Sequence, residues 1–288
     1  MTKLMETLLK IKIHPLFWVV IGISIITAHF KELLMLFLIV FIHELGHVTG
    51  AHFFSWRIKK IQLLPFGGVA EMDEHGNRPI KEELIVILAG PITHIVLVFI
   101  GYIFYAFSII SAETLDLFIF HNLVILFFNL LPIWPLDGGK LLLLLFSLKK
   151  PFSDAHKMTI QLSIIGVGLF ILAVLYYSPS QLHLWMIITF LLFSIVMEWR
   201  QRHFVFMRFL LERYYGDASQ IQRLTPLIVD EKETIQEVLV KFYRGNKHSI
   251  IISKKGKHHV PLDENEVLHA YFNERRTTEH VGDLIYPY

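Results

Sequence analysis

Six apolar stretches, near 13–28, 33–54, 84–108, 117–148, 158–177 and 183–197, dominate the chain. Each approaches the roughly 20 apolar residues that a helix needs to cross a bilayer. Inside hydrocarbon the backbone can satisfy its N–H and C=O groups only in helices or closed barrels, so runs of this length call for spanning helices. Composition agrees, with 54% of 288 residues hydrophobic and 18% charged. The expected fold is an α-helical polytopic membrane protein of about six spans. The fourth run is long and contains Pro132 and Pro135, which remove backbone donors and interrupt the helix there. Met1 to Lys12 is basic and leads into the first run without a small-residue cleavage site, so it reads as a retained span rather than a cleaved signal peptide.

Basic residues set the orientation. Lys3, Lys10 and Lys12 precede the first span, Arg57, Lys59, Lys60, Arg78 and Lys81 follow the second, Lys149, Lys150 and Lys157 follow the fourth, and Arg200 and Arg202 follow the sixth. The alternate loops hold Lys31, Glu32, Glu113 and Asp116, so both termini are expected in the cytoplasm. A net charge of +2 is too small to point to nucleic acid. With Cys 0 there is no disulfide framework and no thiolate metal site, which leaves His, Asp and Glu as metal ligands.

Those residue types converge in the second apolar run, which contains His43-Glu44-Leu45-Gly46-His47, an H-E-x-x-H pattern. On a helix His43 and His47 stand one turn apart on one face, where two imidazoles can hold one Zn²⁺. Glu44 beside them can take a proton from the metal's water, whose pKa the metal lowers toward about 7. His47 lies about seven residues from the end of its span, a depth of roughly 10 Å at about 1.5 Å per residue. Two His and a Glu could merely bond neighbouring helices. At that depth, however, each polar residue carries an insertion cost, which favours the metal reading.

A catalytic zinc site needs a third protein ligand and an open position. Beyond the second span the one acid within an apolar run is Asp137, in Asn129-Leu130-Leu131-Pro132-Ile133-Trp134-Pro135-Leu136-Asp137-Gly138-Gly139. Asp-Gly-Gly after a proline is also ordinary turn chemistry. The fourth span runs inward, though, and brings Asp137 to the depth of His43 and His47. Asn129, shortly before it, could hold a substrate backbone or a developing oxyanion, or could form an interhelical hydrogen bond.

Together H-E-L-G-H in one span and N-x-x-P-x-x-P-L-D-G in a later one resemble the site-2 protease family of intramembrane zinc metalloproteases, and in particular its sporulation branch. Phe66-Gly67-Gly68, Glu74-His75-Gly76-Asn77-Arg78-Pro79 and Ala89-Gly90-Pro91 extend the resemblance over nearly the whole chain. It implies His43, His47 and Asp137 as zinc ligands and Glu44 as general base. It further implies a membrane-tethered protein substrate, for the sporulation branch the pro-form of sigma factor K (pro-sigma-K), and inhibitory membrane partners. The membrane around the forespore is the implied location.

Lys60 to Asp73 reads as a hairpin, either a connector or an edge strand for an extended substrate. Gly90-Pro91 is expected to bend the third span and permit close packing near the metal. His94 and His121 read as packing or hydrogen-bonding residues rather than ligands. The expected division is a protease domain over 1–198, a helix along the lipid surface over 199–223, and a soluble α/β domain over 224–288. The last resembles a single cystathionine-β-synthase-type (CBS) module, which implies pairing in a homo-oligomer. Such modules often sense adenine nucleotide, but Leu262-Asp263-Glu264-Asn265 stands where the Ser/Thr-x-x-Asp ribose motif belongs, which argues against it. The alternative function is a metal or ion transporter regulated by that module. It would need a continuous polar path, whereas the acids and histidines cluster at one depth.

Overall fold

The computed structural model describes residues 11–13, 30–56, 58–64, 67–72, 78–216, 223–254, 257–258 and 261–285. Apart from Ile13 the expected first span, 13–28, lies outside the described residues. The described helices up to Tyr215, in chain order, are α1 (Phe30–Phe53), α2 (Ile80–Ala106), α3 (Ala112–Asn129), α4 (Asp137–Ser147), α5 (Phe152–Tyr177) and α6 (Leu182–Tyr215). Among the described residues all but the short α4 are long and apolar enough to cross a membrane. Their outer faces leave Ile95, Phe99, Phe127, Leu169 and Phe193 exposed, a surface that hydrocarbon covers at no cost and water does not.

Small residues set the closest approach in the bundle. A Cβ on Gly46 of α1 would meet the Ala89 carbonyl oxygen of α2 at 2.6 Å, and one on Gly50 would meet the Ala89 methyl at 3.1 Å. Side chains without bulk let two helix backbones come together where no water-driven force presses them. α2 continues through Pro91 without ending, so the proline removes one ladder bond inside a helix that its neighbours hold.

The chain leaves α3 at Leu130 and re-enters helix at Asp137, the interruption that Pro132 and Pro135 lead one to expect. The connecting loop folds back over the start of α4, so a Cβ on Gly138 would sit 2.2 Å from the Leu130 carbonyl oxygen. One on Gly139 would sit 2.6 Å from the Ile133 carbonyl carbon. Gly-Gly is therefore required by loop backbone lying against helix backbone. The loop is pinned to α5, where Ser163 Oγ accepts from the Trp134 N–H at 2.9 Å and Ile133 packs against Gly166.

The segment joining α1 to α2 and a strand that precedes α1 form a three-stranded sheet. β2 (Ile58–Leu64) and β3 (Gly67–Met72) make the expected antiparallel hairpin, with Leu63 opposite Gly68. β1 (Ile11–Ile13) adds in parallel, Ile11 opposite Ile61.

After α6 come β4 (Arg223–Asp230), α7 (Ile235–Val240), β5 (Asn246–Lys254), β6 (Lys257–His258), β7 (Leu262–Asp263) and α8 (Glu264–Phe272). β4 and β5 are parallel and joined through α7, which Thr234 and Glu237 start with reciprocal side-chain-to-backbone bonds. The core holds Val229, Ile235, Leu239, Phe242, Ile250, Ile252 and Leu268. Phe152 of α5 and Phe209 and Leu210 of α6 belong to the same core. Residues 199–215 are the last turns of α6, which no glycine or proline breaks; Phe209 and Leu210 face this core while Phe204 and Tyr215 stay exposed on the other side.

Two arginines fasten this small domain to the helices. Arg213 of α6 donates to Glu264 Oε2 at 2.8 Å and to the Tyr243 carbonyl at 2.8 Å. Arg244 donates to Glu83 of α2 and, at 2.8 Å, to the Arg78 carbonyl. Leu262-Asp263-Glu264-Asn265 serves the domain's own structure. Asp263 caps α8 by accepting from the Asn265 N–H at 2.8 Å, and Glu264 turns inward to Arg213 and to the His248 N–H.

Candidate metal centre

His43 and His47 share one face of α1, as their four-residue spacing dictates, and α4 brings Asp137 to meet them. All three are buried, and one ligand atom from each lies within 4.8 Å of the others. The two Nε2 atoms are 3.0 Å apart, and each is 3.1 Å from Asp137 Oδ2. Lys140 donates at 3.1 Å to the other carboxylate oxygen, Oδ1. The carboxylate is thereby divided, one oxygen held by protein and one turned to the imidazoles.

The outer nitrogens decide whether a cation fits. His47 Nδ1 lies 2.9 Å from the Val86 carbonyl, which can only accept, so the proton is on Nδ1 and Nε2 carries a lone pair. His43 Nδ1 lies 3.0 Å from His94 Nε2. With that bond donated by His43, three lone-pair atoms face one another with no hydrogen among them. Such a cluster repels itself unless a cation fills it. Two imidazoles and a carboxylate are hard-to-borderline donors suited to Zn²⁺ and leave one tetrahedral position open. The residues fit the metal that the sequence implies.

The wall behind the imidazoles is backbone. A Cβ on Gly90 of α2 would stand 2.3 Å from His47 Nε2 and 2.8 Å from His43 Cε1. Gly90 thus admits the rings, the close packing expected near the metal. Glu44 is buried beside them, within electrostatic reach of His47 and of Lys140.

Asn129 is not drawn into the cluster. It ends α3 half-buried, and its Nδ2 donates to the Ile125 carbonyl one turn back at 3.1 Å. His121 is half-buried with Nε2 unpartnered among the described residues. His94 is fully buried and touches His43, the hydrogen-bonding part expected of it. Lys140 was not anticipated. Its only sequence signal is the three-residue spacing from Asp137, which places both on one face of α4.

A zinc-binding pattern on one apolar helix, completed by a carboxylate from a second element inside the same helical bundle, defines a metallohydrolase built into membrane helices. Residues 31–111 and 106–175 match peptidase family M50. The chain is 50% identical over 288 residues, all of both proteins, to stage IV sporulation protein FB of Bacillus subtilis. A zinc metalloprotease of Methanocaldococcus jannaschii is 36% identical over 146 residues, 49% of this chain and 42% of that protein. The solved site-2 protease from the same archaeon superimposes with a TM-score of 0.53 at 33% identity, covering 65% of this chain and 89% of that one. The chain belongs to peptidase family M50, the site-2 proteases. It is a multi-pass membrane zinc metalloprotease.

Proposed function

We propose that the chain cuts a membrane-tethered protein within or near its span, using His43, His47 and Asp137 as zinc ligands and Glu44 as general base. The observation that carries this reading is the meeting of two lone-pair nitrogens and one carboxylate oxygen, all buried, beside a buried Glu44. Zn²⁺ held there supplies an acidified water and polarises the scissile carbonyl. Glu44 takes the water's proton and delivers it to the leaving amine, so the same carboxylate serves as base and then as acid. Lys140 holds Asp137 Oδ1, which keeps Oδ2 turned toward the imidazoles. Asn129, once released from the Ile125 carbonyl, binds the unwound substrate backbone. Burial of the centre among helices keeps bulk water from competing for these groups.

The full-length likeness to a sporulation protein supports the pro-form of sigma factor K as the substrate. The same likeness supports inhibitory membrane partners and, through a CBS-like C-terminal domain, a homo-oligomer. The distribution of basic residues supports cytoplasmic termini. In this division residues 1–198 carry the protease and 224–288 the soluble domain, fastened by the last turns of α6.

The test is Glu44→Gln, expressed with a tethered substrate. It is expected to keep zinc and fold and to lose cleavage. Cleavage at the unaltered rate removes Glu44 from the reaction. A purified chain with no zinc removes the metal reading.

A further inference from the structure

We propose that His94 and Asn122 are positioning residues that lock the tautomer of His43 and so present its Nε2 to the metal; this rests on the zinc reading above. The two lie on α2 and α3, neither touches Asp137 or His47 through a hydrogen bond, and both are fully buried. Their bonds form a directed chain. Asn122 Nδ2 donates to the His94 backbone carbonyl at 2.9 Å, and a carbonyl cannot donate back. That fixes the amide's orientation, so the atom facing His94 Nδ1 at 2.8 Å is Oδ1, an acceptor. His94 Nδ1 therefore carries its ring's proton, and in the neutral ring Nε2 is left bare. Bare Nε2 can only accept, so the 3.0 Å contact is donated by His43 Nδ1–H. The neutral His43 ring then has its lone pair on Nε2, aimed at Asp137 and at His47 Nε2.

Each link excludes the alternative. If Asn122 were turned over, its amide oxygen would face the His94 carbonyl oxygen, two acceptors with no hydrogen between them. If His43 carried its proton on Nε2, its Nδ1 would face a bare His94 Nε2, and a hydrogen would occupy the place of the metal. His47 is held in the same tautomer by a different device, the Val86 carbonyl. The relay thus gives α3, which supplies no ligand, control of a ligand on α1. Partners of this kind typically change metal affinity by about 10–100-fold.

The experiment measures zinc affinity of the purified full chain in detergent by chelator competition, with the visible spectrum of the Co²⁺-substituted protein alongside. His94→Leu is expected to weaken zinc by about 10–100-fold and to alter the Co²⁺ bands. His94→Gln can place an amide oxygen near the former Nε2 and is expected to restore both. Asn122→Leu frees His94 to turn its proton toward His43 and is expected to weaken zinc while His94 itself remains; it decides the matter should His94→Leu fail to fold. Zinc in the unaltered chain, with affinity and Co²⁺ spectrum unchanged in His94→Leu or Asn122→Leu, overturns the relay alone. No zinc in the unaltered chain overturns the metal reading and the relay with it. Loss in His94→Leu without recovery in His94→Gln assigns His94 to packing and also overturns the relay.

Discussion

Gly90→Ala perturbs the candidate metal centre without replacing any of its three side chains. The added methyl would stand 2.3 Å from His47 Nε2, 2.4 Å from His47 Cε1 and 2.8 Å from His43 Cε1, where ordinary contact begins at 3.4 Å. The rings would have to retreat by about 1 Å, whereas zinc–nitrogen bonds tolerate deviations of about 0.2 Å. Moving α2 away instead would stretch the His47–Val86 and His43–His94 bonds, now 2.9 and 3.0 Å, and so undo what aims the imidazoles. Either route misplaces the reacting groups on a scale that costs roughly 100-fold in rate. Zinc content by mass spectrometry and cleavage of a co-expressed tethered substrate are the readouts. Gly168→Ala is the control, since a Cβ there meets nothing within 4 Å. That variant is expected to be neutral or stabilised by about 0.5–1 kcal/mol, the ordinary preference of a helix for alanine over glycine. Full zinc and a cleavage rate within about threefold of native in Gly90→Ala would show that the rings are not confined by α2, and the geometric argument would fall.

Arg244→Met leaves the buried Glu83 without its guanidinium and is expected to lower stability in detergent by about 3 kcal/mol. Adding Glu83→Gln should recover part of the loss, and a double variant no better than the single one would show that the two groups act independently. Glu264 carries a pH dependence of definite sign. Burial alone would raise its pKa, but hydrogen bonds from His248 and Arg213 and the charge of Arg213 outweigh burial and hold it below its reference value of 4.5. A carboxylate depressed on folding contributes stability above about 4.5 and loses it as pH falls through the folded pKa. Unfolding of the C-terminal domain is thus expected to become easier on acidification below that value, and Glu264→Gln to flatten the dependence while lowering stability near neutrality. An unchanged acid limb in that variant would place the titrating group elsewhere.

What the sequence made legible follows from two periodicities and one cost. Four-residue spacing put His43 and His47 on one face, and the expense of acids in hydrocarbon singled out Asp137 among the later spans. Pro132 and Pro135 announced the break that lets Asp137 begin a new helix. The C-terminal elements were readable as strands and helices because their apolar residues alternate or recur within short, well-bounded segments. Asp137-Gly138-Gly139 was ambiguous until the structure laid residues 130–134 over both glycines. A turn and a place in the cluster are then one answer, because the tight return of the loop is what delivers the carboxylate to His43 and His47.

The rest was hidden for one physical reason: it consists of pairings between elements whose separation in sequence carries no period. Nothing near Asn122 announces that it faces His94, 28 residues away, and nothing near Arg244 points back to Glu83 across 161 residues. Phe152 illustrates the consequence for domain boundaries. By sequence it lies in the basic loop before the fifth span, yet it opens α5 and stacks on Phe209 with ring centroids 4.4 Å apart inside the core of the C-terminal domain. The division at 198 therefore separates residues that share one core. The same contact network ties the C-terminal domain to the metal centre. Arg244 grips Glu83, and Val86, one turn along α2, offers the carbonyl that fixes His47. A force that draws the small domain away from α2 acts on a carboxylate one helical turn from the carbonyl that anchors His47. Cleavage in Arg244→Met should accordingly fall further than its loss of folded protein explains, and a fall in strict proportion to folded protein would confine Arg244 to stability.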